Sequence, residues 1–92
     1  MDIVINSWYG GFTLSSEAIS LYEKYTGKSD VQEYDIPRDD PYLVQVVREL
    51  GDNANGLDAE LRIVTIPDDV VDWYIHDYDG LEEIHEAHRS WG

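Results

Sequence analysis

Apolar residues fall in short blocks, and their spacing changes along the chain. Asp2-Ile3-Val4-Ile5-Asn6 is apolar at successive positions and β-branched, the pattern of a strand buried on both faces. Ser7-Trp8-Tyr9-Gly10-Gly11-Phe12 follows, and its paired glycines predict a turn. Leu14, Ala18, Leu21, Tyr22 and Tyr25 then recur at the spacing of one helical face. Ser15 is placed to cap that helix and Glu17 to favour its first turn, while Thr26-Gly27 stops it. Lys28 to Asp39 is polar and reads as mostly irregular, with a short extended piece over Val31 to Ile36.

Asp40-Pro41 marks a second helix start, an acceptor at the N-cap followed by proline at the first helical position. Leu43, Val46, Val47 and Leu50 give its inward face and Gly51 its end. Asp52-Asn53-Ala54-Asn55-Gly56 carries turn chemistry. Leu61 to Ile66 predicts a strand apolar on both faces, broken by Pro67-Asp68-Asp69. Trp73 to Tyr78 predicts a third strand, with Trp73 and Ile75 on one face and Tyr74, His76 and Tyr78 on the other. Asp79-x-x-Glu82 resembles a capping box opening a last helix, in which Leu81, Ile84, His88 and Trp91 share the inner face. The predicted fold class is α+β: a small three-stranded sheet with three helices mainly on one side, in the order β-α-α-β-β-α. The 92 residues suit a single compact domain, residues 1–92, and the strand order is left open.

Charge changes this picture most. Lys and Arg number 6 and Asp and Glu 20, for a net charge of −14. Such a surface repels nucleic acid and anionic membrane and attracts basic protein surfaces or cations. The plain reading is that acidity keeps a small domain soluble; the sharper one is an acidic inhibitor of a basic, nucleic-acid-binding surface. There is no cysteine, which excludes disulfides and thiolate metal sites and fits a reducing cytosol. No apolar run approaches the ~20 residues of a membrane span, and no secretion signal is expected.

Candidate chemistry is sparse. His85-x-x-His88, with Glu82 and Glu86 nearby and His76 on the preceding strand, offers a metal reading, but the zincin pattern needs its histidines four apart. The reading preferred is structural, with His88 packed on the sheet, His85 partly solvated, and no metal or cofactor assigned. Asp77, Asp79, Glu82 and Glu83 can be read as an acid–base pair or a divalent-ion site, yet capping and a solvated face explain them and the EF-hand pattern is absent. Asp35, Asp39, Asp40, Asp68, Asp69 and Asp72 read as caps, turns and surface charge. Gly10-Gly11 before a helix start can present backbone N–H groups to an anion, without a phosphate-loop pattern. There the plain reading is a tight turn with Trp8 and Phe12 buried. The alternative is a ligand pocket of Trp8, Tyr9, Gly10, Gly11 and Phe12 that stacks a nucleobase, with Arg38, Arg48, Arg62 or Arg89 supplying positive charge. None of the serines sits in a nucleophile elbow, so no enzyme activity is expected.

Three stretches carry a family resemblance. Val4-Ile5-Asn6 with Tyr9-Gly10-Gly11-Phe12-x-Leu14-Ser15-x-Glu17-Ala18 is similar to the opening of a family of small, mostly uncharacterised tailed-bacteriophage proteins. Asp40-Pro41-Tyr42-Leu43-Val44 to Gly51 and Asn53-x-Asn55-Gly56 resemble its middle. Ile66-Pro67-Asp68-Asp69, Trp73, Tyr78-Asp79-Gly80, Glu82, Glu86 and His88-Arg89-x-Trp91 resemble its ending. The chain departs at Trp8, where a smaller or sulfur-bearing residue is expected. The resemblance implies a phage setting in the host cytoplasm and supplies no catalytic residue.

The leading expectation is a phage-encoded acidic binding protein. It would inhibit a host nucleic-acid-handling or antiviral defence factor by occupying its basic surface. The partner-binding face would be Asp77, Glu82, Glu83 and Glu86. The alternative is a homo-oligomer that sequesters a small anionic, nucleotide-type ligand at the Gly10-Gly11 turn. Neither direct nucleic-acid binding nor membrane binding is expected.

Overall fold

A computed structural model describes residues 1–86 and 89–92 of the chain. Its elements are β1 (Asp2–Asn6), α1 (Ser16–Thr26), α2 (Pro41–Leu50), β2 (Leu61–Thr65), β3 (Tyr74–Tyr78), β4 (Leu81–His85) and β5 (Ser90–Trp91), with 3-10 turns at Glu33–Asp35 and Gly51–Ala54. The fold is α+β, with β1-β2 as one sheet and β3-β4-β5 as a second. No helix among the described residues is long and apolar enough to cross a membrane.

β1 has no wet face because both of its faces are covered. Val4 packs with Ala18, Tyr22, Leu43, Val46 and Val47 of the two helices. Ile3 and Ile5, pointing the other way, pack with Val64, Ile66, Val70 and with Ile84 of β4. Antiparallel pairing sets Ile3 opposite Val64 and Val4 opposite Ile63, so β2 follows the same division. The two-stranded sheet thus lies between the helices and the second sheet. Ile3, Val4 and Ile5 are fully buried, each contributing roughly 1.5–3 kcal/mol.

Local signals position the helices. The Ser15 hydroxyl accepts from the Ala18 N–H at 3.0 Å, and Gly27 closes α1 at φ 73°. The Asp40 carboxylate accepts from the N–H groups of Tyr42 and Leu43, 2.8 and 3.3 Å away, with Pro41 in the first turn. It also accepts from the Tyr22 hydroxyl at 2.9 Å, so one carboxylate caps α2 and ties it to α1. The segment expected to hold a short extended piece contains instead the 3-10 turn at Glu33–Asp35.

The main correction concerns the C-terminal segment. The expected last helix is, over Leu81–His85, strand β4. Asp79 and Gly80 do not open a helix. They form a two-residue hairpin turn with φ 52° and 92°, closing Tyr78 against Leu81. Positive φ at both central positions is the hairpin geometry whose twist matches the strands, and Asp-Gly is its preferred sequence. Leu81 and Ile84 therefore do not share a face: Ile84 is buried in the core, whereas Leu81 lies on the alternate side of β4. Trp91 lies on β5 opposite Ile84. His88, expected on the helix's inner face, lies outside the described residues. The strands expected to share one sheet are divided between two: β1 and β2 pair with each other, while β3 joins β4 and β5.

Candidate functional site

Asn6 organises the region where the two sheets meet. It ends β1 and is fully buried. Its side-chain amide donates to the carbonyls of Trp8 and Gly80, each 2.6 Å away, and accepts from the Glu60 N–H at 2.9 Å. Its backbone N–H donates to Glu82 Oε1 at 2.8 Å. One side chain therefore fastens the Trp8–Phe12 loop to the tip of the β3–β4 hairpin. Gly80 makes the approach possible: a Cβ there would stand 2.6 Å from the Gly10 nitrogen and closer still to that of Gly11. On the other side, a Cβ on Gly10 would run into the backbone of Asp58.

Glu82 lies beneath this junction with 4% of its surface exposed. Its two oxygens take Arg38 Nη1 and Nη2 at 2.6 and 2.9 Å, the parallel geometry that makes guanidinium–carboxylate pairs strong. The Arg38 guanidinium sits 3.6 Å over the Phe12 ring, and its backbone carbonyl accepts from the Val4 N–H at 2.9 Å. Glu82 is thus removed from the expected acidic face, because burial demands a partner for its charge and Arg38 supplies it. Of that face, Asp77 and Glu83 are exposed; Glu86 is half-buried and ion-paired with Arg89. Asp77 also accepts from the Gly80 N–H at 2.7 Å, bracing the turn.

The expected ligand pocket is arranged differently from either sequence reading. Phe12 is half-buried under Arg38, whereas Trp8 and Tyr9 are 51% and 53% exposed, their rings edge to face. Tyr78, on the strand leading into the turn, is 64% exposed. Trp8 is therefore not part of the core. Clefts form elsewhere, one of about 450 Å³ between the end of α1 and the segment after it, lined by Tyr22, Lys28, Asp30 and Ile36 among others.

The fold consequently brings together two sets of residues that the sequence presents separately. The Trp8-Tyr9 loop abuts the hairpin tip carrying Asp77, Tyr78 and Asp79, with Asp58 beside Gly10. Exposed aromatics and carboxylates thus flank this junction, with Tyr78 and Asp77 on opposite faces of the hairpin. The arginines proposed to bind an anion are largely engaged: Arg38 by Glu82, Arg48 by Asp2 at 3.0 Å, and Arg89 by Glu86 and Asp69. The Thr65 hydroxyl, with Arg48 adding to it, holds the Asp2 carboxyl below its usual range. Arg62 lies exposed on β2. Sequence reasoning missed Asn6 and Asp58 as site-building residues, and read Arg38 as a charge for an anion pocket and Asp79 as a helix cap. Two signals were present: a lone amide ending an apolar strand, and an Asp-Gly pair between two β-rich runs.

Comparison of the chain with protein-family models, curated proteins and solved structures returns no match.

Proposed function

We propose that this chain is an acidic binding protein that docks its Trp8-Tyr9 loop and β3–β4 hairpin tip onto a basic surface of another protein. The phage resemblance supplies the setting: a host nucleic-acid-handling or antiviral defence factor, blocked in the host cytoplasm. The observation carrying this reading is that exposed Trp8, Tyr9 and Tyr78 and exposed Asp58, Asp77 and Asp79 stand on the segments that meet at a junction fixed by Asn6. Trp and Tyr supply large contact area and dominate binding energy at interfaces. A net charge of −14 steers encounter with a basic partner and disfavours nucleic acid itself. The rigid support below favours binding with little ordering cost.

A competition assay tests the reading. The host protein captured by the chain is purified and loaded with labelled nucleic acid, and the chain is titrated in. Displacement that weakens with added salt is expected. Capture without displacement, or displacement indifferent to Trp8→Ala and Tyr78→Ala, contradicts it.

The second reading is a small anionic, nucleotide-type ligand. The cleft of about 450 Å³ that Lys28 helps to line favours it, moving that alternative away from Gly10-Gly11. Nucleotides that raise the melting temperature would support it.

A further inference from the structure

The outer face of the β3–β4 hairpin carries, besides Tyr78 at its tip, side chains that the partner surface does not use. Antiparallel pairing sets His76 opposite Glu83 and Tyr74 opposite His85. Side chains alternate along a strand, so these four share the face away from the pair Ile75 and Ile84. The imidazoles of His76 and His85 stack with centroids 5.1 Å apart and planes 15° apart. The Glu83 carboxylate is 3.8 Å from His85 Nε2, too far for a hydrogen bond. That nitrogen is buried and has no partner among the described residues. Buried polar atoms almost always have one, so an orphan here needs an explanation.

We propose that His76, Glu83 and His85 bind one divalent zinc-class ion. One ligand atom from each lies within 4.8 Å of the other two. Tetrahedral zinc with ligand bonds near 2.0–2.2 Å holds its ligands about 3.3–3.5 Å apart, so the side chains close by on the order of 1 Å. Small rotations about the χ angles of His76 and Glu83, both on exposed positions, supply that movement. Two imidazoles and a carboxylate form a zinc-type donor set, whereas magnesium and calcium take oxygen ligands. The ion gives the orphaned His85 nitrogen its partner and cross-links β3 to β4. Three protein ligands leave a fourth position for water. The surrounding acidity raises the local cation concentration. This inference is independent of the partner surface.

Calorimetric titration of the full chain with zinc chloride tests it, with magnesium chloride as the comparison. One zinc per chain is expected. Affinity should fall about tenfold or more in His76→Gln and in Glu83→Gln, with the magnesium titration unchanged. Circular dichroism checks that each variant is folded. A nitrogen-15 imidazole spectrum should show His76 and His85 shifting together on zinc addition. Equal zinc affinity in the wild type and both variants overturns the proposal and leaves only general attraction to a carboxylate-rich surface.

Discussion

Arg38 and Glu82 stand 44 positions apart in the chain and meet through two parallel hydrogen bonds of 2.6 and 2.9 Å, with the Phe12 ring under the guanidinium. Arg38 reaches in from the segment before α2, and Glu82 from the hairpin on the other side of β1. The pair therefore ties the helical layer to the second sheet through the edge of β1. It also leaves the carboxylates of Asp77 and Asp79 as the exposed charge of the hairpin tip.

Removing both partners should cost less than the two single removals added together. Arg38→Met leaves an uncompensated carboxylate at a site 4% exposed and should destabilise by about 3–5 kcal/mol. Glu82→Leu should cost somewhat less, since the Arg38 side chain is 21% exposed and can reach water. The double variant should cost clearly less than the sum. Urea unfolding of all four proteins measures the coupling; additivity within about 0.5 kcal/mol would show that the pair does not act as a unit.

Two glycines should respond differently to alanine. Gly80 combines φ 92° with the backbone of Gly10 and Gly11 against its α-carbon, so Gly80→Ala should cost about 3 kcal/mol or more and loosen the Trp8–Phe12 loop. Gly27 has φ 73° but open space around it, so Gly27→Ala should cost about 1–2 kcal/mol. Thermal unfolding compares them. Equal losses would mean that the loop–hairpin contact is not tight.

Alkaline stability should report on Tyr22. Burial, and then the hydrogen bond to Asp40, push its hydroxyl up to about 12 from 10.0. Folded chains keep this proton where unfolded chains release it, so the protection is whole below pH 10 and stability falls as pH rises from there towards 12. Tyr22→Phe should cost about 1 kcal/mol at neutral pH through the lost hydrogen bond. It should also flatten the decline between those pH values. An unchanged alkaline slope in this variant would assign the decline to other tyrosines.

The first 78 residues were largely legible because their signals are local. Ser15, Gly27, Asp40, Pro41 and Gly51 are caps and stops that act within a turn of where they stand. The apolar runs of β1 and β2 reflect burial on both faces. The C-terminal segment was misread because its inward residues are Glu82 and Ile84, an alternation that looks polar unless Arg38 is known to arrive from far away. Leu81 and Ile84 at a spacing of three then imitate a helix face. Trp8 was expected inside because large aromatics usually are; it is 51% exposed, and only its backbone carbonyl is held, by Asn6. The acidic face and the aromatic loop were each visible in the sequence. Their union depends on Asn6 and Gly80, which no periodicity reveals.

Surface aromatics should be separable from stability. Trp8→Ala and Tyr78→Ala change exposed positions, so unfolding free energy should move by no more than about 0.5–1 kcal/mol for each. Denaturant unfolding checks this, and a loss of several kcal/mol in either would show that the ring supports the fold.

The most direct measurement is quantitative affinity capture from host cytosol, comparing the wild-type chain with the Trp8→Ala/Tyr78→Ala double variant at salt from about 50 to 500 mM. The expected result is one basic protein enriched by the wild type, released progressively as salt rises, and reduced about tenfold or more by the variant. Recovery of no partner at low salt, or of the same partner in equal amount by the variant, would contradict docking through this surface.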